Sequence, residues 1–470
     1  MDTLPVEIIL TIGSYVSDLK DRLQLLQVCR RWRALFLEVA YSHVSINGSQ
    51  IRPLTKVVLA NPHIGPAIRD LSVKWWDSYL DSQTQSPSDD PLLERAEELV
   101  GQISESLEER KDWAEHLRGG NQEAWLALLL ASVPNLTALS GQYCGDAPRV
   151  TRVVSRAARK EPPFDTRPAL QRLKTLYISN EDHKEVYPHW QFLPFFYLPC
   201  IRNVRLSAVK ETREWCRPDD PAVCCASGTA PVESLSLEYH CNGRKGMAEF
   251  ITSCANLKQF KYQHDHQEIW GESYIDFQPR KFYRALLTQK HSLEVLHLSD
   301  SGDVDGAGGD DLSDDEKDDG PQAYDRWFGS LVEFSQLRDL RIRVQNLLNY
   351  HDRDKEESVM LKDILPPRLR SLHVAECLVT HCTLLVPNLQ GVLAHRKEQF
   401  PNLEQISISP GVAEFVPEDQ NTSVYQRQAR IPESFKDMFV PVKEMCDRAG
   451  VKFEMTLGGS YHIVSDTPFF

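Results

Sequence analysis

Four side chains of the zinc-binding kind, His373, Cys377, His381 and Cys382, fall within ten residues of one another. No paired C-x-x-C accompanies them. Cys224 and Cys225 are adjacent, a spacing at which two thiolates cannot both reach a tetrahedral ion without strain. We expect no metal site. His264 and His266 flank Asp265 just past a strand pattern and read as polar loop residues. Arg149, Arg152, Arg156 and Arg159 recur at spacings of three, four and three, so they line one helical face, with Val153, Val154 and Ala157 opposite. Such a stripe suits a nucleic-acid or acidic partner, but the plainer expectation is the solvated face of an amphipathic helix. The phosphate loop G-x-x-x-x-G-K-[ST], the nucleophile elbow G-x-S-x-G and the zinc motif H-E-x-x-H are absent. The Asp-rich residues 300–319 lack the glutamate spacing of a calcium loop. With no catalytic constellation, metal or cofactor expected, the chain reads as a binding protein and not an enzyme.

The elements that position such side chains must come from 470 residues, 41% of them apolar, enough for a sizeable core. A net charge of −14 argues against generic affinity for nucleic acid or an anionic membrane, both of them negative surfaces. The longest apolar run, residues 124–131, is far short of the about 20 residues of a membrane span. The first residues show neither a basic nor a long apolar segment, so no secretory signal is expected. Eleven irregularly spaced cysteines point to reduced thiols in the cytoplasm or nucleus. The charge is concentrated: residues 299–320 hold ten carboxylates and one lysine, a net of −9, which leaves −5 elsewhere. That stretch reads as a disordered acidic loop, with Ser313 in an acidophilic-kinase-like context. Residues 81–91 read as a second polar insertion.

Helix signals begin at Pro5. Ile8, Ile12 and Tyr15 form one stripe, Leu23 and Leu26 a second, and Cys29, Trp32, Leu35 and Phe36 a third. Three helices in about 40 residues build a core too small to be firm alone, so a partner is expected. Leu4-Pro5-x-Glu7-Ile8-x-x-x-Ile12-x-x-Tyr15, followed by Asp21-x-Leu23-x-x-Leu26-x-x-Cys29-Arg30-x-Trp32-x-x-Leu35, resembles the F-box. The resemblance covers residues 3–46 and departs at Val16 and Ser17, where a leucine-led segment is common. It implies a three-helix module docking on a Skp-type adaptor, and through it on a cullin–RING ubiquitin ligase. The implied adaptor contacts are Leu4, Pro5, Ile8, Ile12, Leu23, Leu26, Val28, Cys29 and Trp32.

Beyond residue 46 the pattern Φ-x-x-Φ-x-Φ recurs (Φ apolar), led by Leu173, Ile201, Val232, Leu257, Leu293, Leu337, Leu369 and Leu403, with weaker copies at Ile68 and Leu136. Any one copy is weak evidence, since chance matches occur at roughly 7% of positions in such a composition. The set is stronger, because the leads from Leu136 to Leu403 are on average about 33 residues apart. Helical patterns at 247–254, 281–288, 324–334 and 389–400 precede many of them. Val451-x-Phe453-x-Met455, after a helical 442–449, closes the series. Strand, connection and helix at this period resemble irregular leucine-rich repeats. The expected fold class is α/β: an F-box over 1–46, then a leucine-rich-repeat-like solenoid, a curved parallel sheet with helices on its convex side. Residues 47–135 hold only weak patterns, of which 92–117 looks helical and charged, and 136–470 form the solenoid proper.

In that register the middle outward column is Tyr177, Arg205, Ser236, Lys261, His297, Arg341, His373 and Ser407. It carries three full positive charges and no acid. Arg343, Asp339 and Glu238 in the flanking columns bring the face to about +2. Tyr177, Arg205, Lys261, His297, Arg341, Arg343 and His373 are therefore the candidate target-binding residues, for an acidic or phosphorylated protein. The resemblance implies a substrate-recognition subunit of an SCF-type (Skp–cullin–F-box) ubiquitin ligase. The alternative is an F-box scaffold in a non-degradative complex.

Overall fold

The computed structural model describes residues 5–16, 19–76, 91–145, 147–179, 186–212, 226–265, 277–300, 326–348, 360–411, 414–416 and 428–457. The anticipated insertion at 81–91 lies outside them except for its last residue, and so does the acidic stretch from 301 to 320. Two compact units emerge, one of residues 1–232 with 253–255, the other of 233–252 with 256–470.

The first unit opens with three helices, α1 (Val6–Ser14), α2 (Leu19–Val28) and α3 (Arg30–Tyr41). Ile9, Phe36 and Ala40 are buried among them, and Trp32 meets Phe36 edge-on at 5.1 Å. Gly13 is required where it stands, since a Cβ there would fall 2.1 Å from the Phe36 ring. The helices end sooner than the F-box pattern suggests. His43–Asn47 is already a strand, β1, paired in parallel with β2 (Asp70–Lys74). Strands β3 (Ala138–Gln142), β4 (Thr175–Ser179) and β5 (Asn203–Ser207) follow in chain order, all parallel. Gly141 sits at φ +144°, and a Cβ would meet the Val73 carbonyl oxygen at 1.8 Å, so only glycine lets β3 approach β2 there.

Alternate residues of these strands are buried: Leu71 and Val73, Leu139, Leu176 and Ile178, Val204 and Leu206. The inner face is covered by the connections, α4 (Gly48–Ala60), α5 (Pro91–Ile103), α6 (Leu107–Arg118), α7 (Gln122–Ala131) and α8 (Pro148–Arg159). Leu126 and Leu130 of α7 and Val150 of α8 line the same apolar space as Val73, Leu139 and Ile178. The 92–117 pattern is thus two helices, α5 and α6.

The second unit repeats the plan with β6 (Ser234–Cys241), β7 (Gln259–His264), β8 (Val295–Asp300), β9 (Asp339–Arg343), β10 (Ser371–Cys377), β11 (Gln405–Pro410) and β12 (Lys452–Met455). Each pairs in parallel with the next. Every lead apolar residue of the repeat from Leu136 to Leu403 has no exposed surface. Burying each contributes about 1.5–3 kcal/mol, which is why the pattern tolerates so little variation at that place.

The patterns at 247–254, 281–288 and 442–449 are helices at Ala248–Ser253, Pro279–Leu286 and Val440–Ala449, and 389–400 spans the end of the helix Val379–Ala394 and the short helix Arg396–Gln399. Residues 326–334 are not helical. Their backbone turns outward for partners, Phe328 N–H donating to Asn346 O and Leu331 N–H to Ile364 O, both at 2.8 Å. Buried amides close other backbone gaps. Gln289 accepts from Leu257 N–H (3.0 Å) and donates to Ile251 O (3.2 Å), and Asn388 accepts from Leu361 N–H (2.8 Å). Among the described residues no helix is long and apolar enough to cross a membrane.

Candidate functional site

Helix α1 buries one side and leaves the other bare. Ile9 is 3% exposed, whereas Ile8 is 48%, Ile12 55% and Tyr15 84% exposed. Pro5 is exposed at its start. Across the α2–α3 junction Val28 is 61% exposed, Cys29 is exposed, and Leu23, Leu26 and Trp32 are half-buried. Leu4 lies outside the described residues. Five of the fourteen large apolar side chains exposed among the described residues thus fall between Val6 and Val28, a concentration that marks an uncovered face. Cys29 also has a local task, its sulfur accepting the Trp32 N–H at 3.4 Å to cap α3.

On the second unit the ladder aligns Ser236, Lys261, His297, Arg341, His373 and Ser407 as register partners, continued by Glu454. On the first unit the corresponding outward residues are Ser45, Ser72, Ser140, Tyr177 and Arg205, with the Arg205 guanidinium 5.3 Å from the Tyr177 ring centre. His297 Nε2 lies 3.2 Å from Asp339. Burial pushes the Asp339 carboxyl up, but the His297 hydrogen bond and the charges of His297, Lys261 and His373 outweigh it, so it stays below its ordinary value. Burial, then Arg341 and His297, hold His373 down at about 4, so it is a neutral imidazole, with Nε2 2.9 Å from Ser409 Oγ. Burial also lowers Arg341, against the pull of Glu376 and Asp339.

Arg343 departs from the outward reading. It is 3% exposed, and its guanidinium is held by Asp300 and Glu376. Its charge is spent inside the protein. Strand parity alone places Asp300 inward beside Leu296 and Leu298, a signal that the acidic composition of 299–320 obscured; residues 299–300 belong to β8. Glu376 is set by a β-bulge between Val374 and Cys377 and stands at φ +54°. Burial, with Asp300 adding to it, lifts its carboxyl to about 7 against Arg343 and Arg341. Glu238 is buried and accepts from Ser236 Oγ at 2.5 Å.

The Cys377 and Cys382 sulfurs are 3.9 Å apart, their hydrogen bond holding Cys377 up and Cys382 down. His381 Nδ1 accepts from Leu378 N–H at 3.2 Å. All four candidate zinc ligands make local hydrogen bonds, the two cysteines with each other.

Two other readings are corrected. His264 is not a loop residue; it is the fully buried end of β7, with Nδ1 2.7 Å from Tyr262 Oη and its ring 5.5 Å from Phe277. His266 lies outside the described residues. The arginine stripe of α8 is a paired face and not a free solvated one, although Arg159 at its end is exposed. Arg149 pairs with Asp112 (2.5 Å) and Glu123 (3.0 Å), Arg152 with Glu105 and Glu109, and Arg159 with Glu161. Arg156 is buried on the carbonyls of Ile103 and Pro162. The stripe clamps α8 to the chain around α6.

A family model described as a leucine-rich repeat domain matches residues 45–413, and one described as F-box-like matches residues 1–46. No curated protein matches the chain.

Proposed function

The chain belongs to the leucine-rich repeat family and carries an F-box-like head, and from that premise we propose that it is the target-recognition subunit of an SCF-type ubiquitin ligase. The F-box-like helices hold a Skp-type adaptor, and through it the cullin. The outward faces of the strands hold a target protein. No residue of this chain performs chemistry: the assembly acts by holding a ubiquitin-charged enzyme near a target lysine, which raises its effective concentration there.

The observation that carries this reading is the bare apolar face of α1 at Ile8 and Ile12, on a helix whose other side is already satisfied by its own core. Pro5, Leu23, Leu26, Val28, Cys29 and Trp32 extend the contact, and Leu4 is assigned to it from the F-box pattern alone.

Ile8 and Ile12 are exposed, so glutamate at both leaves the fold intact while placing charge in the docking contact. The protein and its Ile8→Glu/Ile12→Glu variant are to be captured from cells and their partners compared. Adaptor and cullin are expected with the first and absent from the second. Adaptor without cullin would replace the ligase reading by a scaffold reading; equal capture by both proteins would overturn the docking assignment.

A further inference from the structure

Among the described residues, Lys261 and Arg341 make no ion pair and no side-chain hydrogen bond, although both are half-buried and Arg341 Nε has no contact with solvent. That is costly for a guanidinium, and it contrasts with Arg343 two residues on, which is held by two carboxylates. The two stand on β7 and β9, with His297 on the strand between them and His373 on the strand beyond. The carboxylate facing this row is Asp339, and its nearest partner is His297. Asp300 and Glu376 pair with Arg343, and only the more distant charge of Glu376 also reaches Arg341. Burial is what lowers Arg341, against the pull of Glu376 and Asp339, and burial first, then the charges of Arg341 and His297, keeps His373 neutral.

We propose that this row is a binding site for a protein segment bearing two anionic oxygen groups, one gripped by the Arg341 fork and the other by Lys261. Neighbouring strands are about 4.8 Å apart, so the two cations are roughly 10 Å apart across β8. A segment in the polyproline II conformation advances about 3.1 Å per residue and returns to the same face every third residue, which puts acidic groups three residues apart over both cations. A phosphorylated side chain and a carboxylate share this chemistry, and Arg341 presents the paired donors that either accepts. A single small anion reaches one cation at a time and gains nothing from the second. The inference rests on the reading of the strand surface as the target-binding surface.

The test uses the full chain and three fluorescent peptides of one length, carrying Glu-x-x-Glu, phosphoserine-x-x-Glu or Gln-x-x-Gln, with inorganic phosphate as competitor. The acidic peptides are expected to bind, and to weaken as salt rises from about 50 to about 300 mM. The Gln peptide and free phosphate are expected to bind far more weakly. Whichever acidic peptide binds tighter identifies the anion. Arg341→Ala is expected to lower affinity by about tenfold or more, and Lys261→Ala by less. Asp339→Asn removes the competing carboxylate and is expected to tighten binding severalfold, a gain that misfolding cannot mimic. Equal binding of the Gln peptide, or unchanged affinity in both Arg341→Ala and Asp339→Asn, would overturn the site. Adaptor capture on the same samples reads the F-box end separately: its failure in the unaltered protein would sink the ligase reading and leave the peptide result standing.

Discussion

At the scale of single residues, Glu376 couples folding to pH. Its carboxyl rises from an ordinary 4.5 to about 7 because it is buried beside Asp300, and Arg343 only partly offsets this. Above pH 4.5 the unfolded chain has released that proton while the folded protein retains it. Stability therefore falls as pH rises, by up to roughly 1 kcal/mol per unit, until the native group ionises near 7. Glu376→Gln has no such proton to lose. In urea unfolding across this range the variant is expected to gain on the native protein by on the order of 2 kcal/mol between low and neutral pH. A difference that stays constant with pH would refute the burial of this carboxyl. Little of this was legible in the sequence. Parity along β9 predicts an outward Arg343, but its burial depends on carboxylates delivered by β8 and by the bulge in β10. A bulge shifts register by a residue and leaves no mark in an apolar pattern.

Elements show the same division between what spacing reveals and what contact decides. The period of Arg149, Arg152, Arg156 and Arg159 fixes a helix and its face, and the opposite side is buried as the pattern requires. What that face meets was not read. Yet Glu105, Glu109 and Asp112 recur at spacings of four and three, a complementary acidic stripe on the chain around α6 that the arginines answer. The Glu123 carboxylate has no exposed surface; burial raises it, against Arg149 and the Val150 N–H at 2.8 Å. Arg149→Leu leaves this group uncompensated and is expected to cost about 3 kcal/mol in urea unfolding. Adding Glu123→Gln removes the charge and keeps an acceptor for Val150, so the double variant is expected to recover much of the loss. Simple additivity of the two changes would show that the pair does not interact. The 326–334 segment erred in the other direction: it has helical spacing, but with Gly329 at φ +139° and bonds to Asn346 and Ile364 its backbone is irregular and not helical.

For the molecule as a whole, the repeating apolar triplet was legible because three side chains per strand enter the core of their own unit, and that constraint recurs down the chain. The start of the array was not, because Tyr41-x-x-Val44-x-Ile46 satisfies the same triplet inside the stretch that resembles the F-box. The boundary has a practical consequence. A chain beginning at Ser42 keeps β1 on β2, whereas one beginning at Gly48 strips it and leaves the β2 edge unpaired. The first truncation is expected to remain monomeric in size-exclusion chromatography and the second to aggregate; identical behaviour would show that β1 is dispensable. Register has a consequence of its own. From β6 to β12 the middle column passes from strand to strand without slipping by a residue, the bulges lying beyond it. Such a surface is a graduated scale with marks about 4.8 Å apart. A partner whose charges fall between the marks must bend to fit, so this scale discriminates by interval before it discriminates by residue type.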